Sequence, residues 1–111
     1  MPTNPQRYVG SPDFHDGYVR SVSLSKENVQ VTVEGDTGQK YLVMFDGVTE
    51  IELSSPQDMM LYALSEVDTD ANSIRLYDFI NWYVDEPDEP ESKSYLRIWA
   101  TGFRASPLGK D

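Results

Sequence analysis

His15 is the only histidine of the chain, and it lies in the segment Asp13-Phe14-His15-Asp16-Gly17. Side chains two residues apart share a face of an extended backbone, so this segment places Asp13 and His15 together. A carboxylate beside an imidazole can bind a metal ion or serve as a base with its orienting group. A structural metal site needs about four ligands, so we expect His15 to pack at the start of a strand and to bond a carboxylate or a backbone group. A small enzyme or metal-dependent protein centred on His15 is the alternative.

A second candidate for metal chemistry is the spacing of Asp68, Asp70 and Asn72, which matches the opening of an EF-hand calcium loop. The rest of that loop is not matched, because Ser73 stands where the loop needs glycine and Phe79 where it needs a bidentate glutamate. Asp and Asn side chains also bond their own backbone in turns. We therefore predict a polar turn over 68–73 rather than a metal site, with weak calcium binding as the alternative.

Other kinds of catalytic or cofactor site have little support in the sequence. The chain has no cysteine, which excludes a thiolate nucleophile and a disulfide. A G-x-S-x-G motif is absent, and Gly35 and Gly38 lie in a hairpin loop rather than between a strand and a helix, where phosphate loops occur. Carboxylate pairs, which glycosidases use for acid–base catalysis, are abundant in the chain. A domain of this size, however, offers little room for a deep substrate cleft. We predict no catalytic residues and no cofactor.

Large aromatic residues are concentrated in the last two predicted strands, at both odd and even positions. They are Tyr77, Phe79, Trp82, Tyr83, Tyr95 and Trp99. One face of a sheet cannot bury them all unless a bulge shifts the register. Exposed Trp and Tyr often anchor protein interfaces. The candidate binding residues are accordingly His15, Asp16, Trp82, Tyr95 and Trp99.

The charge of the chain is unevenly distributed. Its net charge is −10, and residues 46–91 hold thirteen acidic residues but only one basic residue, Arg75. An acidic surface repels nucleic acid and anionic lipid and favours a basic protein partner. Five of the acidic residues lie within 85–91 together with Pro87 and Pro90, so this run is predicted to be a hairpin loop outside the sheet. We expect it to be a solubilising tip, and a docking edge for a basic partner is the alternative.

The elements that must position these residues are short strands. Val29, Val31 and Val33 alternate with polar residues, which predicts a strand with a buried valine face and with Gln30, Thr32 and Glu34 exposed. In the preceding strand, Tyr18, Val22 and Leu24 are predicted to share a face. Ser55 and Pro56 begin a helix-start pattern, so one short helical turn is predicted near 55–62. The predicted strands are 17–24, 29–34, 41–45, 49–53, a β-like segment over 61–67, 74–84 and 95–101.

This pattern predicts an all-β fold with an antiparallel barrel or sandwich of six to seven strands. The chain has 111 residues, so one domain is expected. Residues 1–12 contain three prolines and are predicted to be a flexible arm. The β domain is predicted to cover 13–104, followed by a frayed tail over 105–111.

Four short motifs resemble those of a family of small bacterial β-rich proteins without an assigned activity. The motifs are Phe14-His15-Asp16-Gly17, Phe45-Asp46-Gly47-Val48, Ile80-Asn81-Trp82 and the run YLRIWATGF over 95–103. The resemblance covers residues 14–104. It implies a bacterial origin and an all-β fold, and some similar proteins are described as immunity proteins of bacterial toxin systems. It implies no catalytic residues.

Together these features predict a small non-enzymatic domain that binds a basic protein, with an immunity-like or regulatory role. An acidic DNA mimic is a further alternative, which would need carboxylates spaced like phosphates along one surface. The sequence has no stretch long enough to span a bilayer, and residues 1–12 lack the apolar segment of a signal peptide. With no cysteine in the chain, a cytoplasmic location is expected.

Overall fold

Nine strands and one short helical turn make up the part of the chain that the structure describes. A computed structural model of the protein describes residues 6–25, 28–69, 73–83, 86, 88 and 93–108. The strands are β1 (Gln6–Val9), β2 (Gly17–Leu24), β3 (Val29–Glu34), β4 (Lys40–Asp46), β5 (Glu50–Ser54), β6 (Met60–Asp68), β7 (Arg75–Asn81), β8 (Tyr95–Ala100) and β9 (Gly102–Pro107). A 3-10 turn spans Pro12–Phe14. The predicted all-β class is confirmed.

The strands form one antiparallel sheet that folds over itself. Their order is β5-β8-β7-β6-β2-β3-β4-β9, and β1 pairs with β6 beside β2. The ring of Phe45 on β4 lies 5.1 Å from that of Tyr77 and 5.8 Å from that of Phe79, both on β7. The two halves of the sheet therefore pack face to face and enclose the core. The sheet is not closed into a barrel, so of the two predicted architectures the sandwich describes this packing.

The alternation in β3 has the expected effect on burial. Val29, Val31 and Val33 are buried in the core, which confirms the predicted valine face. The polar side chains between them are half-buried rather than exposed. Because β3 pairs with β2 on one side and β4 on the other, side chains of the neighbouring strands cover part of its outer face.

Strand β2 presents a different face to the core from the one that the sequence predicts. The pairing of β2 with β3 shifts by one residue between Val19 and Ser21. This bulge at Arg20 places Val19 and Val22, instead of Tyr18 and Val22, on the core side, because each added residue turns the following side chains to the other face. Val19 is fully buried, whereas Leu24 is 57% exposed.

The short helix predicted near 55–62 is absent from that described segment, and this prediction is wrong. Ser55 and Asp58 have positive φ angles of 43° and 66°, which a helix does not contain. The N–H of Asp58 donates to the carbonyl of Val19 at 2.6 Å, and the N–H of Val19 donates to that of Met59 at 2.9 Å. These hydrogen bonds to the edge of β2 take the place of a helical turn, and β6 begins directly afterwards.

Two segments predicted to be irregular are strands. Within the predicted arm over 1–12, Gln6–Val9 pairs with β6. Within the predicted tail over 105–111, the chain remains paired with β4 as far as Pro107. Both predictions are wrong for these residues, because a partner strand supplies hydrogen bonds that local composition does not reveal. The total of nine strands also exceeds the predicted six to seven.

Other predictions fall on residues outside the described ranges. They concern residues 1–5, the centre of the predicted turn at 70–72, the end of the chain at 109–111, and most of the acidic run over 85–91. Within that run the structure describes Glu86 and Asp88, whose side chains are exposed. None of the described segments forms a helix that could span a lipid bilayer.

Candidate functional site

The 3-10 turn at Pro12–Phe14 sets the position of His15. The side chain of Ser11 caps the turn by accepting a hydrogen bond from the N–H of Asp13 at 3.1 Å. Phe14 is buried and fixes the turn to the core. The N–H of His15 donates to the carbonyl of Pro12 at 3.2 Å. The backbone here is turned rather than extended, so Asp13 and His15 do not share a face as predicted.

Asp13 binds the hairpin between β3 and β4 instead of His15. Its carboxylate accepts hydrogen bonds from the N–H of Thr37 at 3.0 Å, the hydroxyl of Thr37 at 2.7 Å and the hydroxyl of Tyr41 at 3.0 Å. The hydroxyl of Thr37 is the main cause that lowers the pKa of Asp13 below its ordinary value. A carboxylate with three donors is held in its charged form. Asp13 thus has a structural role at the hairpin and is not the orienting group of His15.

Asp16 and Gly17 connect this turn to the sheet. Asp16 has a positive φ of 67°, which Asp and Asn tolerate better than most residues. Its N–H donates to the carbonyl of Leu61 on β6 at 2.9 Å. A Cβ atom at Gly17 would collide with the main-chain oxygen of Glu34. The sequence His-Asp-Gly therefore suits a sharp entry into β2 at a point where two backbones lie close together.

A β-bulge in β6 turns Tyr62 outwards. The pairing of β6 with β7 places Leu61 opposite Asn81 and Ala63 opposite Ile80, so Tyr62 is the extra residue between them. The main-chain oxygen of Tyr62 accepts a hydrogen bond from Nδ1 of His15 at 2.9 Å. Bulges commonly re-aim a side chain beside a functional site. Here the bulge brings the ring of Tyr62 to the surface beside His15.

Trp82 follows β7 at a turn, which ends that strand before the predicted limit of residue 84. The N–H of Trp82 donates to the carbonyl of Met60 at 2.9 Å. The buried side chain of Asn81 supports the turn, because it accepts from the N–H of Tyr83 at 2.7 Å and donates to the carbonyl of Ser94 at 2.9 Å. These bonds hold Trp82 at the end of the sheet next to the bulge.

Four rings meet at this end of the sheet, and we call them the aromatic ridge: Tyr8, His15, Tyr62 and Trp82. The ring of His15 lies 5.1 Å from that of Tyr62 and 5.5 Å from that of Trp82, in edge-to-face geometry. Tyr62 lies 5.8 Å from Trp82 and 6.1 Å from Tyr8. Exposed fractions are 63% for Tyr8, 38% for Tyr62 and 40% for Trp82. The ridge is therefore a contiguous aromatic surface in contact with solvent.

The hydrogen bond to Tyr62 determines the tautomer of His15. A carbonyl oxygen only accepts, so Nδ1 of His15 must carry a proton. In the neutral ring Nε2 is then an acceptor, and it lies 3.6 Å from Oδ1 of Asp16. This oxygen is buried and has no hydrogen-bond partner within the described part of the chain.

Two grooves flank the aromatic ridge. The apolar groove has a volume of about 400 Å³ and is lined by Tyr8, Val9, Phe14, His15 and Leu64, among others. The acidic groove has a volume of about 540 Å³. Its lining includes Asp16, Tyr18, Glu34, Asp36 and Trp82. An extended ligand that crosses the ridge would therefore meet an apolar surface on one side and carboxylates on the other.

The structure brings together three of the five predicted binding residues: His15, Asp16 and Trp82. The other two lie on the outer face of β8. Tyr95 is exposed and lies under the guanidinium of Arg97, whereas Trp99 is half-buried. Among the described residues, neither ring has a contact with the aromatic ridge. In the same ranges, no group of three or more His, Cys, Asp or Glu side chains could hold a metal ion.

Tyr8 and Tyr62 belong to the site but are absent from the sequence-based candidates. Tyr8 falls in the predicted arm, and Tyr62 in a segment of ambiguous pattern. A sequence signal for Tyr62 does exist, since Leu61, Tyr62, Ala63 and Leu64 are four successive apolar residues in a β-like segment. Such a run cannot place every side chain in a one-sided core without a bulge. Tyr8 has no comparable signal.

Comparison with known proteins adds no relative whose function bears on this site. No protein-family model, no curated protein sequence and no solved structure matches the chain.

Proposed function

We propose that this protein is a non-enzymatic binding domain that recognises a basic segment of a protein partner at the aromatic ridge. The observation that carries the proposal is the exposure of four contiguous rings between an apolar and an acidic groove. Contiguous exposed apolar surface often marks an interaction site. Tyr and Trp contribute large contact areas at low entropic cost, which makes them effective anchors.

Charge supports a basic partner. The chain carries a net charge of −10, and the acidic groove lies directly against Trp82. Such a surface attracts a cationic segment over distance and orients it before contact. Aliphatic or aromatic side chains of the same segment then fit the apolar groove beside Tyr8. This combination favours short peptides that contain both cationic and apolar residues.

The acidic DNA mimic is less well supported than a protein partner. Arg7 lies 2.7 Å from Glu66 and 3.2 Å from Asp68. Arg20 lies 2.9 Å from both Glu34 and Asp58. Arginines of the chain itself therefore compensate these carboxylates, and compensated charges make poor substitutes for phosphates.

The bacterial and immunity-like role is part of the same proposal. Two of the motifs that carry the family resemblance, His15-Asp16 and Asn81-Trp82, come together at the aromatic ridge. The other two meet at a different corner, where Phe45 pairs with Phe103. A surface that neutralises a basic toxin needs the charge and the aromatic anchors described above, and a cytoplasmic location would suit it. Co-expression in bacteria with the toxic products of neighbouring genes tests this role, with restored growth as the supporting result.

A peptide array tests the binding function itself. The array would present basic and acidic peptides of equal hydrophobic content to the purified protein. We expect binding to basic peptides with apolar residues, loss of that binding in the Tyr8→Ala/Trp82→Ala double variant, and retention in the control variant Tyr95→Ala. Both variants replace exposed rings, so their folding should be comparable. Equal binding of acidic peptides, or equal binding by the double variant, would overturn the proposal.

A further inference from the structure

The carboxylates of the acidic groove differ in whether the protein itself compensates their charge. Glu34 is paired with Arg20, whose guanidinium lies 2.9 Å from it. Asp16 and Asp36 line the same groove, and within the described residues neither has a hydrogen bond from a cationic side chain of Lys or Arg. The lining of the groove therefore includes Trp82, one carboxylate that is paired with an arginine and two that are not.

Arg20 shows how this protein binds a guanidinium group. Its Cζ atom lies 4.5 Å from the centre of the Tyr18 ring, and its nitrogens lie 2.9 Å from carboxylate oxygens of Glu34 and Asp58. The planar cation thus stacks on an aromatic face while two carboxylates accept its hydrogen bonds. This is the geometry in which guanidinium groups are held most effectively.

The same groove is also lined by a ring and by carboxylates to which, within the described residues, no lysine or arginine side chain is bonded. Trp82 supplies a 40% exposed aromatic ring, and Asp16 and Asp36 supply carboxylates. Oδ1 of Asp16 is buried and lies 3.6 Å from Nε2 of His15, so an outside cation would meet the other oxygen of this 40% exposed carboxylate. A cationic side chain from outside would therefore find both an aromatic ring and carboxylate oxygens that accept hydrogen bonds.

On the basis of the binding function proposed above, we propose that the acidic groove is a pocket for one arginine side chain of the partner. The guanidinium stacks on Trp82 and donates hydrogen bonds to the carboxylates of Asp16 and Asp36, as Arg20 donates to Glu34 and Asp58 beside Tyr18. The aliphatic stem of the arginine lies along Met60, which lines the groove. The apolar residues of the same partner segment occupy the groove on the other side of the ridge.

The test uses small arginine derivatives and the NMR signal of the Trp82 indole N–H. The Trp99→Phe variant leaves Trp82 as the single tryptophan, because the chain has two. N-acetyl-arginine methylamide is the probe, and the matching citrulline derivative is its neutral control of nearly equal shape. We expect the arginine probe to shift the Trp82 signal with saturation and the citrulline probe to leave it unchanged. The lysine derivative should bind more weakly, since an ammonium group does not stack or form paired bonds.

Three charge variants locate the site. Asp16→Asn removes the charge but keeps a residue that tolerates the positive φ at this position, so it should fold normally. We expect it to weaken arginine binding by about fivefold. Asp46→Asn removes the same charge at the remote corner of β4 and should weaken binding by less than about twofold. Asp36→Asn removes the other carboxylate of the groove, and its effect does not depend on the unusual backbone conformation at Asp16.

The outcomes separate this inference from the proposed function. If arginine and citrulline act alike, or if Asp16→Asn and Asp46→Asn weaken binding equally, the arginine pocket is wrong. Basic peptides that still bind wild type and fail to bind the Tyr8→Ala/Trp82→Ala variant would then leave the binding function intact. If those peptides also bind the double variant, both proposals fail.

Discussion

Nδ1 of His15 and the main-chain oxygen of Tyr62 lie 2.9 Å apart, which joins the turn before β2 to the bulge in β6. These residues are 47 positions apart in the sequence, so the bond links two separate parts of the chain. It also fixes the plane of the imidazole between the rings of Tyr62 and Trp82. His15 therefore contacts two of the other three rings of the aromatic ridge.

Substitutions at His15 should distinguish the contribution of its hydrogen bond to stability from the contribution of its ring. His15→Ala removes both and should lower the free energy of unfolding by about 0.5–1.5 kcal/mol, as expected for one hydrogen bond. His15→Asn places an amide donor near the position of Nδ1 and should lose less stability, although it removes a ring of the ridge. Urea unfolding of the two variants measures the difference. Equal losses would mean that the bond to Tyr62 contributes nothing.

The contact between Asp13 and Gly35 leads to a second prediction. A Cβ atom at Gly35 would overlap the carboxylate of Asp13, so Gly35→Ala must displace the side chain that ties the 3-10 turn to the hairpin. We expect a destabilisation of about 1–3 kcal/mol, typical of overpacking at a buried position. In the Asp13→Ala background the same substitution should cost less, because the carboxylate is gone. Thermal unfolding of the four proteins gives the coupling, and strictly additive effects would contradict this contact.

Asp13 should also contribute to the loss of stability in acid. Its pKa is lowered, chiefly by the hydrogen bond from the hydroxyl of Thr37. A carboxylate with a lowered pKa stabilises the fold above its unfolded pKa of about 3.9, and this contribution is lost as the pH falls through the folded pKa. Asp13→Asn should therefore be less stable than wild type at neutral pH, with the difference shrinking below about pH 4. A difference that persists unchanged in acid would contradict the assignment, and Asp46→Asn controls for net charge.

Asp78 should behave in the opposite way. It lies on the outer face of β7, where burial raises its pKa although Arg97 lies 3.8 Å away and opposes this shift. A carboxylate with a raised pKa favours folding below its unfolded pKa, and that contribution is lost as the pH rises through the folded pKa. Asp78→Asn should therefore be more stable than wild type at neutral pH, because it removes the cost of a buried charge. The gain should vanish in acid, and a loss of stability at neutral pH would show that the pair with Arg97 dominates.

The parts of the fold that could be predicted from the sequence depend on local patterns. The valines at 29, 31 and 33 alternate with polar residues, and this period alone identifies a strand with a buried face. Strands β1 and β9 could not be recognised in this way, since their stability comes from pairing with β6 and β4. The helix-start pattern at Ser55 likewise does not form a helix, because the segment makes hydrogen bonds with β2 instead. The residues around Ser55 give no sign of these hydrogen bonds.

The candidate site was predictable to the extent that its residues are chemically unusual. His15 stands out as the only histidine, and Trp82 as one of two tryptophans. Their contact could not be predicted, because it requires the bulge at Tyr62 and the docking of Asp16 on β6. Tyr8 joins the site only because β1 pairs with the same strand. The aromatic ridge is thus a product of sheet topology rather than of any local motif.

The most direct test of the central claim is to map a bound basic peptide on the protein by NMR. The best-binding peptide from the array would be added to isotope-labelled wild type, and the shifts of backbone amide and indole signals would be followed at low and high salt. We predict that the largest changes fall on Tyr8, His15, Tyr62 and Trp82, and that affinity falls as salt rises, because charge steers the encounter. Changes centred on Tyr95 and Trp99, or an affinity that salt does not alter, would contradict the claim that the aromatic ridge binds a basic partner.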